Sequence, residues 1–324
     1  MKIAVLLPCY NEELTIGRMI VSFRALLPDA EIFVYDNNST DGTAAAARAA
    51  GVEPRVETMQ GKGHVVRRMF ADIEADAYIL VDGDGTYDVP GAIFMLSRLV
   101  ADRLDMVVGR RRSAEPTLAY RAGHALGNRL LTGAVSLAFG ARFTDMLSGY
   151  RVLSRRFVKS FPSLSQGFEI ETELTVHALS LHLPAAEVDT LYYARAEGST
   201  SKLNTYRDGL RILLTIVKLL KEERPFGFFS TIAGLLMGSA LVLAAPLLVT
   251  YLETGLVPRL PTAVAATGLT ILASLSFACA VVLDSVRHGR LEMRRLFYLR
   301  EAAPDYDAAS LISRGLSPQK AAQA

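Results

Sequence analysis

The sequence predicts an α/β domain on a parallel sheet covered on both faces, followed by a C-terminal two-helix transmembrane hairpin. Three observations carry that prediction. Short runs that are apolar almost throughout alternate with segments of helical period over the first half of the chain, as strands buried beneath helices on both faces require. Two runs without a charged residue, 226–252 over 27 positions and 260–283 over 24, occupy the C-terminal part. Each exceeds the roughly 20 residues that cross a hydrocarbon core. Finally, polar clusters fall at the carboxyl ends of the first-half strands, where open α/β sheets bind ligands.

The elements follow in order. Ile3–Leu7 is a strand and Glu12–Leu27 is helical in period. Glu31–Tyr35 is a second strand, and an Ala-rich helix over Asp41–Ala50 follows it, with Asp41 or Ser39 as its cap. Gly63–Ala75 reads as a helix, Ala77–Val81 as a strand, Pro90–Ala101 as a helix and Met106–Val108 as a strand. Leu210, Leu213, Leu214, Val217 and Leu220 form a stripe near helical spacing, beside Arg207, Arg211, Lys218 and Lys221. That stripe suits a helix at the membrane surface and equally one packed on the soluble domain. The expected organisation is a domain over 1–203, an amphipathic interfacial helix over 204–225, a hairpin with basic flank over 226–300 and a mobile tail over 301–324.

Orientation comes from the flanks. Lys218, Lys221 and Arg224 precede the first span, and Arg287, Arg290, Arg294 and Arg295 follow the second. The connection Glu253–Arg259 holds one acid and one Arg. The positive-inside rule then places the N-terminal domain and both termini in the cytoplasm, on the cytoplasmic membrane. Ile3–Leu7 is too short for the core of a signal peptide. Composition excludes other classes. With 51% hydrophobic residues the chain is not disordered, and two cysteines do not make a disulfide scaffold. Thirty-five basic against 33 acidic residues, a net charge of +2, give no basis for nucleic-acid binding.

Asp82-Gly83-Asp84, at the end of a buried strand, offers two carboxylates to a hard divalent cation such as Mg²⁺ or Mn²⁺, with coordination left for a diphosphate. A calcium loop would need Gly and Glu where the chain has Tyr87 and Ile93. Asp36-Asn37-Asn38-Ser39-Thr40-Asp41-Gly42-Thr43 reads as a turn, and it also sets Asp36 where a nucleobase imide could donate to it. Gly61-Lys62-Gly63 is half a P-loop or a solvated turn, and neither a complete P-loop nor GxGxxG occurs.

Taken in order, Leu7-Pro8-Cys9-Tyr10-Asn11-Glu12-Glu13, Asp36 with Ser39 to Thr43, Gly61-Lys62-Gly63 and Asp82-Gly83-Asp84 resemble the family 2 glycosyltransferases of GT-A fold, a Rossmann-like nucleotide-diphospho-sugar transferase domain. Asp145 to Arg151, Gly167-Phe168-Glu169-Ile170-Glu171, Arg195 and Ser201-Lys202 are similar to the polyprenyl-phosphate branch, the dolichyl-phosphate mannose synthase-like enzymes. The resemblance implies Pro8, Tyr10, Glu12, Asp36 and Lys62 at the nucleotide, and Asp82, Asp84 and Thr86 at a divalent metal. It implies Arg111, Arg121, Arg195 and Lys202 on phosphates, each with a solvated surface charge as its plainer reading. Asp84, Asp145 and Arg111 are the expected catalytic residues. Asp145 would be a base or orienting acid, or a structural acid paired to Arg151 or an amide. The chain departs from the branch at Asn37, an acid in some members, and in the run after Asp84.

The implied reaction moves a sugar from a UDP- or GDP-linked donor to polyprenyl phosphate (dolichyl or undecaprenyl) with inversion, for cell-envelope glycan or glycolipid modification. Homo-oligomerisation stays open. A non-phosphorylated lipid acceptor is one alternative, and a non-catalytic nucleotide-sugar-binding membrane protein is another. A processive synthase would need a Gln-x-x-Arg-Trp motif, and the chain has no Trp.

Overall fold

The computed structural model describes residues 1–113, 133, 143–167, 169–194, 214, 217–218 and 220–303. They fall in two compact units, Met1–Leu213 with Arg294–Ala324, and Leu214–Met293.

In the first unit the order is β1 (Ile3–Cys9), α1 (Ile16–Leu26), β2 (Glu31–Asp36), α2 (Thr43–Ala49), β3 (Arg55–Val56), α3 (Lys62–Asp72), β4 (Ala77–Leu80) and α4 (Gly91–Ala101). There follow β5 (Met106–Ser113), β6 (Arg151–Ser154), α5 (Arg155–Ser160), α6 (Ile170–Leu181) and β7 (Ala185–Tyr192). The strands form one sheet in the order β3-β2-β1-β4-β6-β5-β7. β1 is wholly buried, and its alternate residues serve two cores. Ile3, Val5, Leu7 and Cys9 pack with Ile16, Ile20 and Phe23 of α1 and Met95 and Leu99 of α4. On the other face Phe70 of α3 meets Tyr78 of β4 and Phe161 edge-on.

The wholly parallel sheet expected from the sequence is corrected: β6 runs antiparallel between β4 and β5. Arg151-Val152-Leu153-Ser154 is buried throughout like a parallel strand, although its first and last residues are polar and its direction is reversed. Pro8 is tolerated in this central strand for a local reason. The Leu6 carbonyl accepts from Val81 N–H, so Pro8, two residues on, turns its missing N–H to the same side, beyond the end of β4 at Leu80.

Helix starts also shift. α1 begins at Ile16 because residues 12–15 form a turn, and the Thr15 hydroxyl donates to Gly83 O at 2.6 Å instead of capping the helix. α2 begins at Thr43, whose N–H donates to the Asp41 carboxylate at 3.0 Å, while Ser39 Oγ accepts from Asn11 N–H at 2.9 Å.

The second unit holds α7 (Pro225–Thr254) and most of α8 (Leu260–Arg300). Both are long and apolar enough to cross a membrane. Ala233 and Ala240 on α7, and Ala266, Ala273 and Ala280 on α8, are buried at seven-residue intervals, while Leu235, Val242, Leu252, Leu272 and Leu275 are exposed. Small residues let the two helices approach closely, and Ser276 Oγ donates to Phe229 O at 3.1 Å. The apolar run of the second span ends at Leu283, but the helix continues to Arg300 for 41 residues in all. Its Leu, Met, Glu and Arg content favours helix, and after Pro261 in its first turn no Pro occurs before Pro304. Of 204–225, the residues described from 214 to 223 are helical with Leu214 and Val217 exposed; the rest, like 304–324, lies outside the described residues.

The end of α8 belongs to the first unit. Tyr298 Oη donates to the buried Asp105 carboxylate at 2.8 Å, and the Arg156 guanidinium lies 4.8 Å from the Tyr298 ring. Glu301, read from the sequence as the first residue of the tail, pairs with Arg155 at 3.1 Å. Nearby on α6, His177 is enclosed by Phe157, Phe161 and Ser160, whose Oγ lies 3.1 Å from Nε2.

Burial, with the Arg294 charge second, pushes the His177 imidazole down to about 3. The unfolded chain therefore binds an extra proton as pH falls from the ordinary histidine range, and stability declines by at most about 1.4 kcal/mol per pH unit. His177→Gln keeps an acceptor for Ser160 without the titration. Its unfolding midpoint in detergent should fall less steeply than that of the native chain between pH 7.5 and 4.5.

Candidate active site

The carboxyl ends of β1, β2 and β4 carry three loops, and the loops are tied to one another. Asn11 N–H donates to Ser39 Oγ at 2.9 Å and Thr40 N–H to Asn11 Oδ1 at 2.8 Å. Glu12 N–H donates to Thr43 Oγ1 at 2.7 Å and Gly42 N–H to Glu13 Oε2 at 2.9 Å. Asn11 and Asn38 take left-handed backbone with φ of 56° and 61°, a conformation asparagine tolerates better than most residues. This stitching holds the loop after β1, which carries Tyr10 and Glu12, to the loop after β2, and the strand register sets Cys9 opposite Asp36. Asp36 is buried, and its Oδ1 accepts from Ser39 N–H at 3.2 Å.

The loop after β4 holds Asp82 and Asp84. Asp84 is buried, and its Oδ1 accepts from both Thr86 N–H, at 3.1 Å, and Thr86 Oγ1, at 2.7 Å. Thr86 thus orients that carboxylate. Asp82 is more open and forms an ion pair with Lys62, whose ammonium also meets Glu171 Oε1. The solvated turn that the sequence allowed for Gly61-Lys62-Gly63 is corrected: Lys62 opens α3 and its side chain is 9% exposed. A cation at a helix N-terminus opposes the macrodipole, and here the two carboxylates offset that. Burial alone would push the Lys62 ammonium down, but Asp82 and Glu171 outweigh it and hold it above the ordinary lysine range. Burial raises the Glu171 carboxyl, with Lys62 opposing.

Glu171 is the residue to which sequence reasoning gave no role. It lies at the start of α6, 109 residues from Lys62, and its signal was an acid within the buried face of a helix that carries a second acid, Glu173, two residues on. Its Oε2 is buried and accepts no hydrogen bond among the described residues. Gly149 closes over this group: a Cβ there would lie 2.5 Å from Asp82 Oδ2 and 2.9 Å from Lys62 Nζ. Gly149 N–H donates to Tyr87 Oη at 2.8 Å.

The second charged group is Arg111 with Asp145. Arg111 Nε and Nη2 donate to the two Asp145 oxygens at 2.8 and 2.7 Å, and Arg111 N–H adds a third bond at 3.1 Å. The Arg111 guanidinium lies 5.7 Å from the Tyr192 ring, which packs against Tyr87. Of the partners that the structural reading of Asp145 allowed, Arg151 or an amide, the structure has the Arg111 backbone amide, together with the Arg111 guanidinium in place of Arg151. Arg151 is fully buried and donates to the carbonyls of Met146, Ser148 and Glu171. Arg121, Arg195 and Lys202 lie outside the described residues.

Asp82 and Asp84 present only oxygen donors, and the described residues contain no cluster of three or more His, Cys, Asp or Glu arranged as a metal cage. Such a pair fits Mg²⁺ or Mn²⁺, which keep open coordination for phosphate oxygens.

Lys62→Met would leave Glu171 and Asp82 facing each other without their cation, at a cost of about 3–5 kcal/mol for a broken buried pair. Glu171, already raised in the folded state, would then bind its proton more readily folded than unfolded. Stability of the variant should therefore fall as pH rises, with a steeper loss between pH 5 and 8 than the native chain shows in thermal unfolding.

The model of the family described as glycosyl transferase family 2 matches residues 4–159. Glycosyltransferase AglJ of Haloferax volcanii is 36% identical over 249 residues, 75% of this chain and 81% of its own length. The dolichyl-phosphate hexose transferase of the same organism is 28% identical over 222 residues, 68% of this chain and 95% of that protein. Among solved structures, glucosyl-3-phosphoglycerate synthase from Mycobacterium tuberculosis, in complex with Mn²⁺, UDP-glucose and glycerol 3-phosphate, is similar with a TM-score of 0.53 and 25% identity, over 68% of this chain and 79% of that one. The matched segment contains both tied loops, Lys62 and the Asp82/Asp84 pair, and with a relative of this identity along most of its length the chain belongs to glycosyl transferase family 2, on a GT-A fold.

Proposed function

We propose that the protein is a membrane-bound transferase that moves a sugar from a nucleoside diphosphate donor to a polyprenyl phosphate. The observation that carries this reading is the pairing, in one chain, of an acid-rich site at the carboxyl ends of the strands with two helices apolar enough to cross a bilayer. The similarity to a dolichyl-phosphate hexose transferase supports it. Both termini and the catalytic unit face the cytoplasm, by the distribution of basic residues.

In this reading Asp36, Pro8, Tyr10 and Glu12 take the nucleoside. Asp82 and Asp84 hold the divalent cation, with Thr86 fixing Asp84. When bound, that cation offsets charge on the donor's diphosphate. The buried Glu171 carboxylate, with an oxygen that accepts nothing among the described residues, suits a sugar hydroxyl. A lipid monophosphate carries about −1.5 to −2 near neutral pH and is already a nucleophile. What it needs is cancellation of repulsion against the donor, and Arg111 supplies it. Arg121, Arg195 and Lys202 join that role from outside the described residues. Direct displacement at the anomeric carbon inverts its configuration. Asp145 already accepts three N–H groups of Arg111, so its part is to aim the guanidinium.

Radiolabelled UDP- and GDP-sugars offered with a short polyprenyl phosphate, in Mn²⁺ and in chelator, test this directly. Metal-dependent label in the lipid phase from one donor, with inverted configuration, is expected. Absence of lipid label from every donor with correctly folded protein would overturn it. Asp145→Asn should lower turnover by about 10–100-fold by loosening Arg111, without changing the shape of the pH–rate profile. Loss of a limb of that profile would make Asp145 a general base.

A further inference from the structure

We propose that Asn37 is a positioning residue for Lys62: its side-chain amide holds the segment that launches the lysine toward Asp82 and Glu171. Asn37 is buried at 3% exposure, and its amide makes three hydrogen bonds. Nδ2 donates to Glu57 O and to Met59 O, both at 2.8 Å, and Oδ1 accepts from Gly61 N–H at 2.7 Å. Two donors and one acceptor converge on five consecutive residues, a pattern that only a carboxamide satisfies among side chains of this size.

The need for it follows from the sheet. β3 is two residues long, and its ladder to β2 ends where Glu57 N–H donates to Asp36 O at 3.0 Å. Beyond that point the chain has no strand partner, and Asn37, one residue past β2, continues the ladder with its side chain. Asn38 adds a bond from Nδ2 to Thr58 O at 2.9 Å. On the other side Gly61 and Gly63 press on a neighbouring loop. A Cβ at Gly61 would lie 2.2 Å from Gln166 O, and Gly63 N–H donates to that same carbonyl at 3.1 Å. Gly61 also has φ of 134°, which an L side chain rarely adopts. The turn is therefore clamped between Asn37 and Gln166, and Lys62 is the residue inside the clamp.

This gives Asn37 a task inside the protein and not toward the donor. An aspartate there has the same shape but no proton to donate. It would face the Glu57 and Met59 carbonyls with a negative charge and keep only the bond from Gly61. The significance for catalysis rests on the proposed roles of Asp82 and Glu171, which Lys62 holds together, but the coupling of Asn37 to Lys62 can be read without any donor.

Trace acetylation of the full-length protein in detergent, with acetic anhydride as the probe and mass spectrometry as the readout, reports the exposure of each lysine. In Asn37→Asp, Lys62 should be acetylated at least about tenfold faster than in the native chain, because local opening governs access to a buried group. Lys159, held by Phe70 O and Ile73 O on the far end of the same helix, should change by less than about twofold on the same scale. Unchanged protection of Lys62 would overturn the proposal. So would equal increases at Lys62 and Lys159, which would make Asn37 a general support of the fold. A failed transfer assay with the expected labelling would instead count against the reading of the reaction.

Discussion

The ammonium of Lys62 between the carboxylates of Asp82 and Glu171 is the interaction around which the polar interior is arranged. A buried charge is expensive, and removing one partner costs more than the group contributes when intact. The surroundings reflect that constraint. Glycines at 61, 63 and 149 are the positions where a Cβ would enter the group or the backbone that holds it. Arg151, itself buried deeply enough that its guanidinium is pushed down to about 10, grips the Glu171 carbonyl and the loop leading to Gly149. Lysine, two acids, arginine and three glycines form one interdependent set drawn from α3, the end of β4, β6 and α6.

The second organising choice is separation of polarity. The acid-rich loops sit at one end of a sheet whose strands are apolar on both faces, and among the described residues the two long apolar helices are α7 and α8. Reactions between two phosphorylated partners need fixed dipoles and cations in a preorganised setting. The proposed lipid acceptor would need an apolar surface on the same protein. One chain carries both without mixing them. The Arg111–Asp145 pair, braced by Tyr192 and Tyr87, shows how a cation is kept aimed without being buried outright.

Much of this was legible in the amino-acid order. The alternation of β1 to α4 could be read because parallel strands must be apolar throughout, and the site loops because their polar residues interrupt that pattern at fixed places. The direction of β6 could not, since Arg151-Val152-Leu153-Ser154 begins with a charge and gives no hint of the strand's sense. Spacing misled at Asp145, where the arginine six residues later is a nearer candidate than the one 34 residues earlier that pairs with it. Glu171 escaped for the same reason on a larger scale, because its partner is set by the path of the sheet and not by any local pattern. The apolar run of α8 was readable to Leu283, but the end of its helix at Arg300 was not, since helix propensity continues beyond the apolar residues.

The return of α8 to Asp105 and Arg155 makes the catalytic unit discontinuous along the chain. During synthesis the N-terminal two hundred residues leave the ribosome first, while Tyr298 and Glu301 arrive only after both apolar helices have been made. The domain's last braces are thus added after the hairpin has been handed to its insertion machinery. A chain released at Arg224 would lose its anchor and, with it, part of the domain's own packing.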